Sequence, residues 1–195
     1  MLSVARRVYH GLPVAVAQVK PRPTFYDKVR QNDPHFERDL KESMIHVDKI
    51  AKLLNDRGIR TTTPETTIRP SEEQMRQYTD NGDLWAHPPG GGPALKIECK
   101  QRRFNFDTVE NFPYPDVMVT NCHTHDRATP KPAFYVITDY EIKCVLVIPV
   151  ASTFATWTRR DGVWDRFKKR ERNFYCAPKS AFITLEQMCA NITSQ

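Results

Sequence analysis

Two short stretches joined by a connection rich in glycine and proline constrain the fold of this chain more than any other feature. Residues 95–100 alternate strictly between apolar and charged side chains. This pattern predicts a strand with one face formed by Leu95, Ile97 and Cys99 and the other by Lys96, Glu98 and Lys100. A second strand is predicted over residues 81–86, where Asn-Gly gives a turn signal. Residues 88–93 (PPGGGP) then join both strands as a hairpin, which brings Asp83 towards the charged face.

Three residues of this hairpin resemble the active-site signature of the PD-(D/E)xK nuclease superfamily, which has a restriction-endonuclease-like fold. The signature is an Asp near the start of one strand and an acid-x-Lys on the next. Here Asp83 is followed fifteen residues later by Glu98 of Glu98-Cys99-Lys100. Gly82 stands where the family usually has Pro, a departure that its members often show. The resemblance covers roughly residues 33–150 and implies an α/β fold with a mixed sheet flanked by helices.

The residue types at these positions suit metal-dependent hydrolysis of phosphodiesters. The resemblance implies that Asp83 and Glu98 bind Mg²⁺, or Mn²⁺, because hard cations prefer oxygen ligands. A bound ion lowers the pKa of its water and neutralises charge that develops on the phosphate. Lys100 is expected to orient the attacking water or stabilise the pentavalent phosphate. Gln101, next in sequence, is expected to help orient the substrate. A solvated ion-pair face is the open alternative for an acid-x-Lys strand.

A long amphipathic helix is predicted from Asp33 to about Arg57. Asp33-Pro34 is a helix-start signal, apolar residues then recur at steps of three and four, and Gly58 ends the pattern. The recurring apolar positions are Phe36, Leu40, Met44, Val47, Ala51 and Leu54. We expect the helix to pack on the sheet through Leu40, Val47 and Leu54.

The resemblance implies that this first helix often lends an acid to the site. The candidates are Glu37, Glu42 and Asp48. Glu37 and Asp48 flank the apolar stripe of the helix, and Asp48 is closer to the family's usual layout, whereas Glu42 points away. A solvated surface charge remains the alternative for each of them.

The rest of the chain predicts a sheet enclosed on both sides. Residues 144–148 are continuously apolar, which is typical of a strand covered on both faces. Further strands are predicted at residues 59–68, 114–119 and 134–138, and short helices or helical turns at 71–78, 107–112, 152–157 and from 184 onward. The last of these begins with a Thr184–Gln187 capping box.

The spacing of the histidines and cysteines does not predict a zinc site. Residues 121–126 (NCHTHD) form one cluster, and no second ligand pair occurs at zinc-finger spacing. A polar loop is therefore predicted, with phosphate contact by His123 or His125 as an alternative. The five cysteines include no CxxC pair, so reduced thiols and a cytoplasmic location are expected, in the host cytoplasm if the protein is viral.

Residues 1–32 are predicted to be a basic, extended N-terminal arm. No acidic residue occurs before Asp27, and three prolines disfavour a long helix. The arm could contact nucleic acid, a protein partner or a second copy in a homodimer. Organellar targeting by residues 1–26 is the minor alternative.

The net charge of +6 favours an anionic partner, and most of that charge is concentrated near the C-terminus. Aromatic residues are interleaved with the basic ones there, which suits phosphate contacts with base stacking. The candidate nucleic-acid-binding residues are Arg159, Arg160, Arg166, Lys168, Lys169, Arg170, Arg172 and Lys179, together with Arg102 and Arg103. A surface helix with a few core aromatics is the alternative for the C-terminal set. Core anchoring of Phe104 and Phe106 is the alternative for the residues around Arg102.

These patterns predict one nuclease-like domain over residues 33–195, with its core at 33–150 and a basic region at 151–195. The expected function is a Mg²⁺-dependent nuclease that hydrolyses phosphodiester bonds in DNA, similar to small nucleases common in phage genomes. DNA is favoured over RNA, although an RNA-directed nuclease stays open. The alternative is a catalytically inactive nuclease-like fold that binds nucleic acid or acts in assembly. No apolar run is long enough to span a membrane, so no membrane partner is expected.

Overall fold

The computed structural model describes residues 5–7, 34–67, 82–165 and 170–195. The predicted arm outside residues 5–7, the helix expected at 71–78, and Arg166, Lys168 and Lys169 lie outside these ranges. The side chains of Glu37 and Leu40 also lie outside the description.

The described residues form ten strands and four α-helices. The strands are β1 (Ala5–Arg7), β2 (Arg60–Thr62), β3 (Glu65–Thr67), β4 (Leu84–His87), β5 (Leu95–Gln101), β6 (Asp116–Asn121), β7 (Phe134–Thr138), β8 (Val145–Pro149), β9 (Thr158–Asp165) and β10 (Arg170–Pro178). The helices are α1 (Pro34–Asn55), α2 (Cys122–Arg127), α3 (Val150–Thr153) and α4 (Leu185–Thr193). A 3₁₀ turn, Phe154–Thr156, follows α3, and β1 pairs with β3 in a separate two-stranded sheet.

The predicted hairpin lies at the centre of a five-stranded mixed sheet. The strand order is β2-β4-β5-β7-β8, and only the β5–β7 pair is parallel. Because parallel neighbours need a long crossover, β6 and α2 lie in the connection between β5 and β7. The mixed sheet predicted to contain both residues 95–100 and residues 144–148 is therefore confirmed.

The first face of this sheet is covered by α1 and α4. Val47 and Leu54 of α1 pack in one apolar cluster with Ile97 and Cys99 of β5, and α4 adds Met188 to the same cluster. The helix α1 and the packing of Val47 and Leu54 agree with the prediction. The predicted C-terminal region, residues 151–195, thus contributes to the same apolar core as residues 33–150.

The helix ends follow the sequence signals closely. The Thr184–Gln187 capping box is present and opens α4. Gly58, just after α1, has a φ of +80°, the left-handed conformation that glycine adopts readily at a helix end.

Met44 differs from the prediction, because it is 41% exposed rather than part of the buried stripe.

The second face is covered by a smaller antiparallel sheet of order β6-β10-β9. Tyr135 and Ile137 of β7 pack with Val117 of β6 and Ala177 of β10 in a second apolar cluster. Enclosure of the large sheet on both sides is confirmed, but the expected flanking by helices is wrong for the second face, which the strands of the smaller sheet cover. Phe106 is buried in this cluster and Phe104 packs against it, so core anchoring describes both rings.

Two segments differ from their sequence-based interpretations. Residues 121–126 were expected to form a loop but lie mostly in α2, because the Asn121 side chain accepts a hydrogen bond from Thr124 N and caps the helix. Residues 159–165 and 170–178 do not form the surface helix considered as an alternative, since they lie in strands β9 and β10, which pair with each other. All five cysteines are buried thiols. None of the described helices is long and apolar enough to cross a membrane.

Candidate active site

Asp83, Glu98 and Lys100 converge at one end of the β4–β5 hairpin. Asp83 N donates to the carbonyl of Ile97 at 3.2 Å, which sets Asp83 opposite the middle of β5. Its Oδ2 accepts a hydrogen bond of 2.8 Å from Cys99 N. Lys100 Nζ lies 2.9 Å from Glu98 Oε2 and 3.8 Å from Asp83 Oδ2. The ammonium group of Lys100 therefore lies between both carboxylates.

A second lysine, Lys96, lies behind Glu98. Its Nζ is 3.9 Å from Glu98 Oε1, the carboxylate oxygen that does not face Lys100. Side-chain exposure rises along the site, from 1% for Lys96 and 8% for Glu98 to 19% for Lys100 and 20% for Asp83. The site thus has a buried end at Lys96 and an open end at Asp83 and Lys100. Glu98 is therefore not part of a solvated ion-pair face, which was the alternative considered from the sequence.

Gly82 makes room for this buried lysine. Its φ is +83°, in the left-handed region that favours glycine. A Cβ at this position would lie 2.7 Å from Cε and 2.8 Å from Cγ of Lys96. Glycine at this position is therefore explained by its left-handed backbone and by the close approach of Lys96.

The first helix brings a histidine, rather than an identified acid, near the site. His46 is buried, and its Nε2 lies 2.8 Å from Thr138 Oγ1 on β7. Burial lowers the pKa of His46 to about 4, with smaller effects from the charges of Asp83, which raises it, and of Lys100 and Lys49, which lower it. The imidazole is therefore neutral at pH 7.

The sequence-based search for an acid on α1 did not consider His46. Glu42 is exposed and pairs with Arg38 at 3.7 Å, and Asp48 is also exposed. A solvated surface charge describes both acids. The usable signal for His46 was its position one residue before Val47, at the edge of the buried stripe of α1.

The neutral His46 should make the protein less stable in mild acid. The folded state binds this proton only near pH 4, whereas the unfolded chain binds it near pH 6.5, so stability is lost as the pH falls through this window. Between pH 7 and pH 5 the expected loss from this residue is roughly 2 kcal/mol. Urea unfolding at both pH values should show a smaller pH dependence for His46→Gln. An equal pH dependence in both proteins would contradict this assignment.

Gln101 has a structural contact that accounts for its amide group. Its Nε2 donates to the carbonyl oxygen of Tyr140 at 2.7 Å, which ties the end of β5 to the turn after β7. Buried Asp139 supports the same turn, because its carboxylate accepts hydrogen bonds from Glu141 N and Cys144 N. The expected role of Gln101 in orienting a substrate stays a prediction.

The donor atoms of the site fit a hard divalent cation in type. Mg²⁺ usually binds through one or two carboxylates and keeps several waters, and Asp83 with Glu98 can supply the carboxylates. Among the described residues, no group of three or more His, Cys, Asp or Glu side chains could hold a metal ion. A cation here would rely on two carboxylates and water.

The histidines of α2 contact other side chains of the protein. His125 is buried, and its Nδ1 lies 2.9 Å from Tyr135 Oη, while the ring stacks on Phe154 with centroids 4.7 Å apart. Burial lowers the pKa of His125, and nearby Lys131 lowers it further. His123 is exposed, and its Nε2 lies 3.2 Å from Arg127 Nη1. Phosphate contact therefore remains open only for His123.

Three of the candidate nucleic-acid-binding residues contact acidic groups of the protein itself. The ion pairs on the β9–β10 hairpin are Arg159–Asp161 at 2.6 Å, Arg160–Asp116 at 2.7 Å and Arg172–Asp165 at 3.1 Å. Arg103 and Arg170 are exposed. The paired arginines present less unbalanced charge than the sequence suggested, because each has a carboxylate beside it.

Two further candidates are held by backbone carbonyls. Lys179 Nζ donates to the carbonyls of Glu110 at 2.9 Å and Phe112 at 2.8 Å. Arg102 donates to the carbonyl of Met118, and its buried Nε has no hydrogen-bond partner among the described residues. Burial lowers the pKa of Arg102 to about 10. Arg102 therefore points inward rather than towards a phosphate backbone.

No family model, curated protein or solved structure matches this chain.

Proposed function

We propose that this protein is a metal-dependent nuclease that hydrolyses phosphodiester bonds in DNA. The observation that carries the proposal is the meeting of Asp83, Glu98 and Lys100, with Lys100 Nζ within 2.9 Å of one carboxylate and 3.8 Å of the other. Mg²⁺ or Mn²⁺ bound by Asp83 and Glu98 would supply Lewis-acid activation of water and phosphate.

The order of elements around the hairpin supports the resemblance to the PD-(D/E)xK superfamily. Along the chain, helix α1 precedes strands β2, β4 and β5, and α2 then precedes β7, which pairs in parallel with β5. A first helix, several strands, a second helix and a further strand is the order expected for the restriction-endonuclease-like fold. The acid-x-Lys strand β5 lies in the middle of the five-stranded sheet.

Each residue of the site has a distinct role in the proposal. Asp83 is oriented by Cys99 N, and Glu98 is oriented by Lys100 and Lys96. Lys100 lies at the open end of the site, where it can donate to a phosphoryl oxygen and stabilise charge in the transition state. Because Asp83 is also at this end, the substrate approaches from the side of Asp83 and Lys100.

Cleavage assays test the proposal directly. Purified protein should cut single-stranded, double-stranded or branched DNA with Mg²⁺ or Mn²⁺, and EDTA should stop the reaction. RNA of matched sequence in parallel reactions separates a DNA-directed from an RNA-directed enzyme. Absence of cleavage of every one of these substrates with both ions would contradict the proposed activity.

A second candidate function is nucleic-acid binding or assembly without catalysis. The observation that favours it is charge balance, since Lys96 and Lys100 face the two oxygens of Glu98, and Lys100 is also near Asp83. Two lysines and two carboxylates have no net charge, so this cluster needs no metal ion for electrostatic balance. A protein with this function should cut no DNA in the cleavage assays.

The β9–β10 hairpin gives both candidates a testable binding surface. Trp164 near the end of β9 is 62% exposed, and Arg170 begins β10. Changing Lys168, Lys169 and Arg170 together to Ala should flatten the dependence of log affinity for duplex DNA on log salt. The slope should fall by up to about 0.9 for each lost phosphate contact.

The paired arginines of the same hairpin provide the matched control. Arg159→Ala with Arg160→Ala should change the slope less, because Asp161 and Asp116 already balance these charges. Fluorescence anisotropy at several salt concentrations measures both slopes. An unchanged slope in the triple variant would leave the hairpin as an ordinary solvated surface.

A further inference from the structure

Lys96 occupies an unusual position for a charged side chain on a central strand. Its side chain is 1% exposed, and its stem passes the backbone of Gly82 at a distance that leaves no space for a Cβ. Fully buried lysines are rare, because removing an ammonium group from water is unfavourable unless opposite charge compensates it. Glu98 supplies opposite charge 3.9 Å away.

The two lysines near Glu98 differ in their freedom to move. Lys100 is partly exposed, so its long side chain can turn towards solvent when a cation or a phosphate arrives. Lys96 is enclosed at the buried end of the site and packs beside Gly82. Its Nζ therefore stays beside Glu98, and little solvent is present to screen it.

We propose that Lys96 is a positioning residue that holds Glu98 and weakens divalent-cation binding until nucleic acid is present. This inference rests on the proposed function, because it concerns the same pair of carboxylates. A cation held by Asp83 and Glu98 experiences repulsion from Lys96 that cannot be relieved by side-chain movement. The negative phosphate of a bound nucleic acid offsets this repulsion, so cation binding and nucleic-acid binding favour each other.

Cation binding by the free protein tests this role without any measurement of cleavage. Free Mn²⁺ is measured by electron paramagnetic resonance during titration of wild type and Lys96→Met, in the absence of nucleic acid. Lys96→Met should bind Mn²⁺ at least about tenfold more tightly, because one nearby positive charge is removed from a weakly screened site. Equal affinity in the two proteins would overturn the role of Lys96.

Lys52→Met is the matched control. Lys52 also lies beside a carboxylate, Asp56 at 2.6 Å, but this pair is exposed on α1. Its replacement should leave Mn²⁺ affinity unchanged, since an exposed charge is well screened. If Lys96→Met does not fold, Lys96→Gln provides the same comparison, because it removes the charge and keeps a polar end group near Glu98.

A double variant separates failure of this inference from failure of the proposed function. Mn²⁺ binding gained by Lys96→Met should disappear when Glu98→Gln is added. If binding is unchanged by Glu98→Gln, the metal site of the proposed function is wrong. If Glu98→Gln abolishes binding but Lys96→Met has wild-type affinity, only the inference about Lys96 is wrong.

Discussion

Glu98→Gln is expected to abolish DNA cleavage while DNA binding remains or becomes tighter. Glutamine keeps the shape of the side chain but removes the charge that would hold a divalent cation. Turnover should fall by a factor on the order of 1000, because metal activation of water and phosphate contributes several kcal/mol to stabilisation of the transition state. Binding should survive, since a carboxylate that repels phosphate is gone. Single-turnover cleavage and anisotropy measure the two effects separately.

Two neighbours of Glu98 on β5 are controls for this result. Lys100→Ala should lower turnover and leave Mn²⁺ affinity largely intact, because Lys100 is not expected to be a ligand. Cys99→Ser alters the residue between Glu98 and Lys100. The Cys99 side chain lies on the other face of the sheet, in the apolar cluster that contains Ile97. This substitution should lower stability and leave the chemical step nearly unchanged. Thermal unfolding should accompany every assay, because Glu98→Gln leaves Lys96 buried without that carboxylate.

The outcome also decides between the two candidate functions. Suppose that wild-type protein binds DNA tightly, cuts no DNA with Mg²⁺ or Mn²⁺, and behaves like Glu98→Gln. It is then not a nuclease of the proposed kind. The non-catalytic binding or assembly function would then replace it.

Gly82→Ala is expected to destabilise the fold by about 2–5 kcal/mol. Two physical effects add at this position. A residue with a Cβ is strained at a φ of +83°, and the new Cβ would meet Lys96 Cε at 2.7 Å. Lys96 cannot move away easily because it is buried. Urea unfolding with a common m-value measures the difference.

Gly91 provides a control with the same backbone conformation and different surroundings. Its φ is also +83°, but no described atom lies within 4 Å of the position that its Cβ would occupy. Gly91→Ala should therefore cost only the backbone strain, about 1–2 kcal/mol. In a Lys96→Ala background, the cost of Gly82→Ala should fall towards that of Gly91→Ala. Equal costs for the two glycines in the wild-type background would show that Lys96 does not limit the space at Gly82.

Local patterns in the sequence were sufficient to predict several elements of the structure. The alternation of residues 95–100 and the glycine-rich connection predicted β5 and its pairing with β4. The signals at Asp33-Pro34 and Gly58 predicted α1, and the Thr184–Gln187 capping box predicted α4. These predictions succeeded because turn chemistry, capping and side-chain periodicity act between residues close in the chain. The same periodicity placed Asp83, Glu98 and Lys100 in one hairpin.

Only the tertiary structure decided which charges face solvent and which face one another. Lys96 alternates with Ile97 like any surface residue, yet it is buried, with its stem beside Gly82. Arg160 pairs with Asp116, 44 residues earlier, and His46 contacts Thr138, 92 residues later. Such pairings are set by strand order within a sheet and by packing between layers, and spacing along the chain does not give the distance between residues so far apart in sequence. The sequence by itself therefore determined the strands and helices that hold the candidate site, whereas packing determined its buried lysine, its neutral histidine and the pairing of its basic surface.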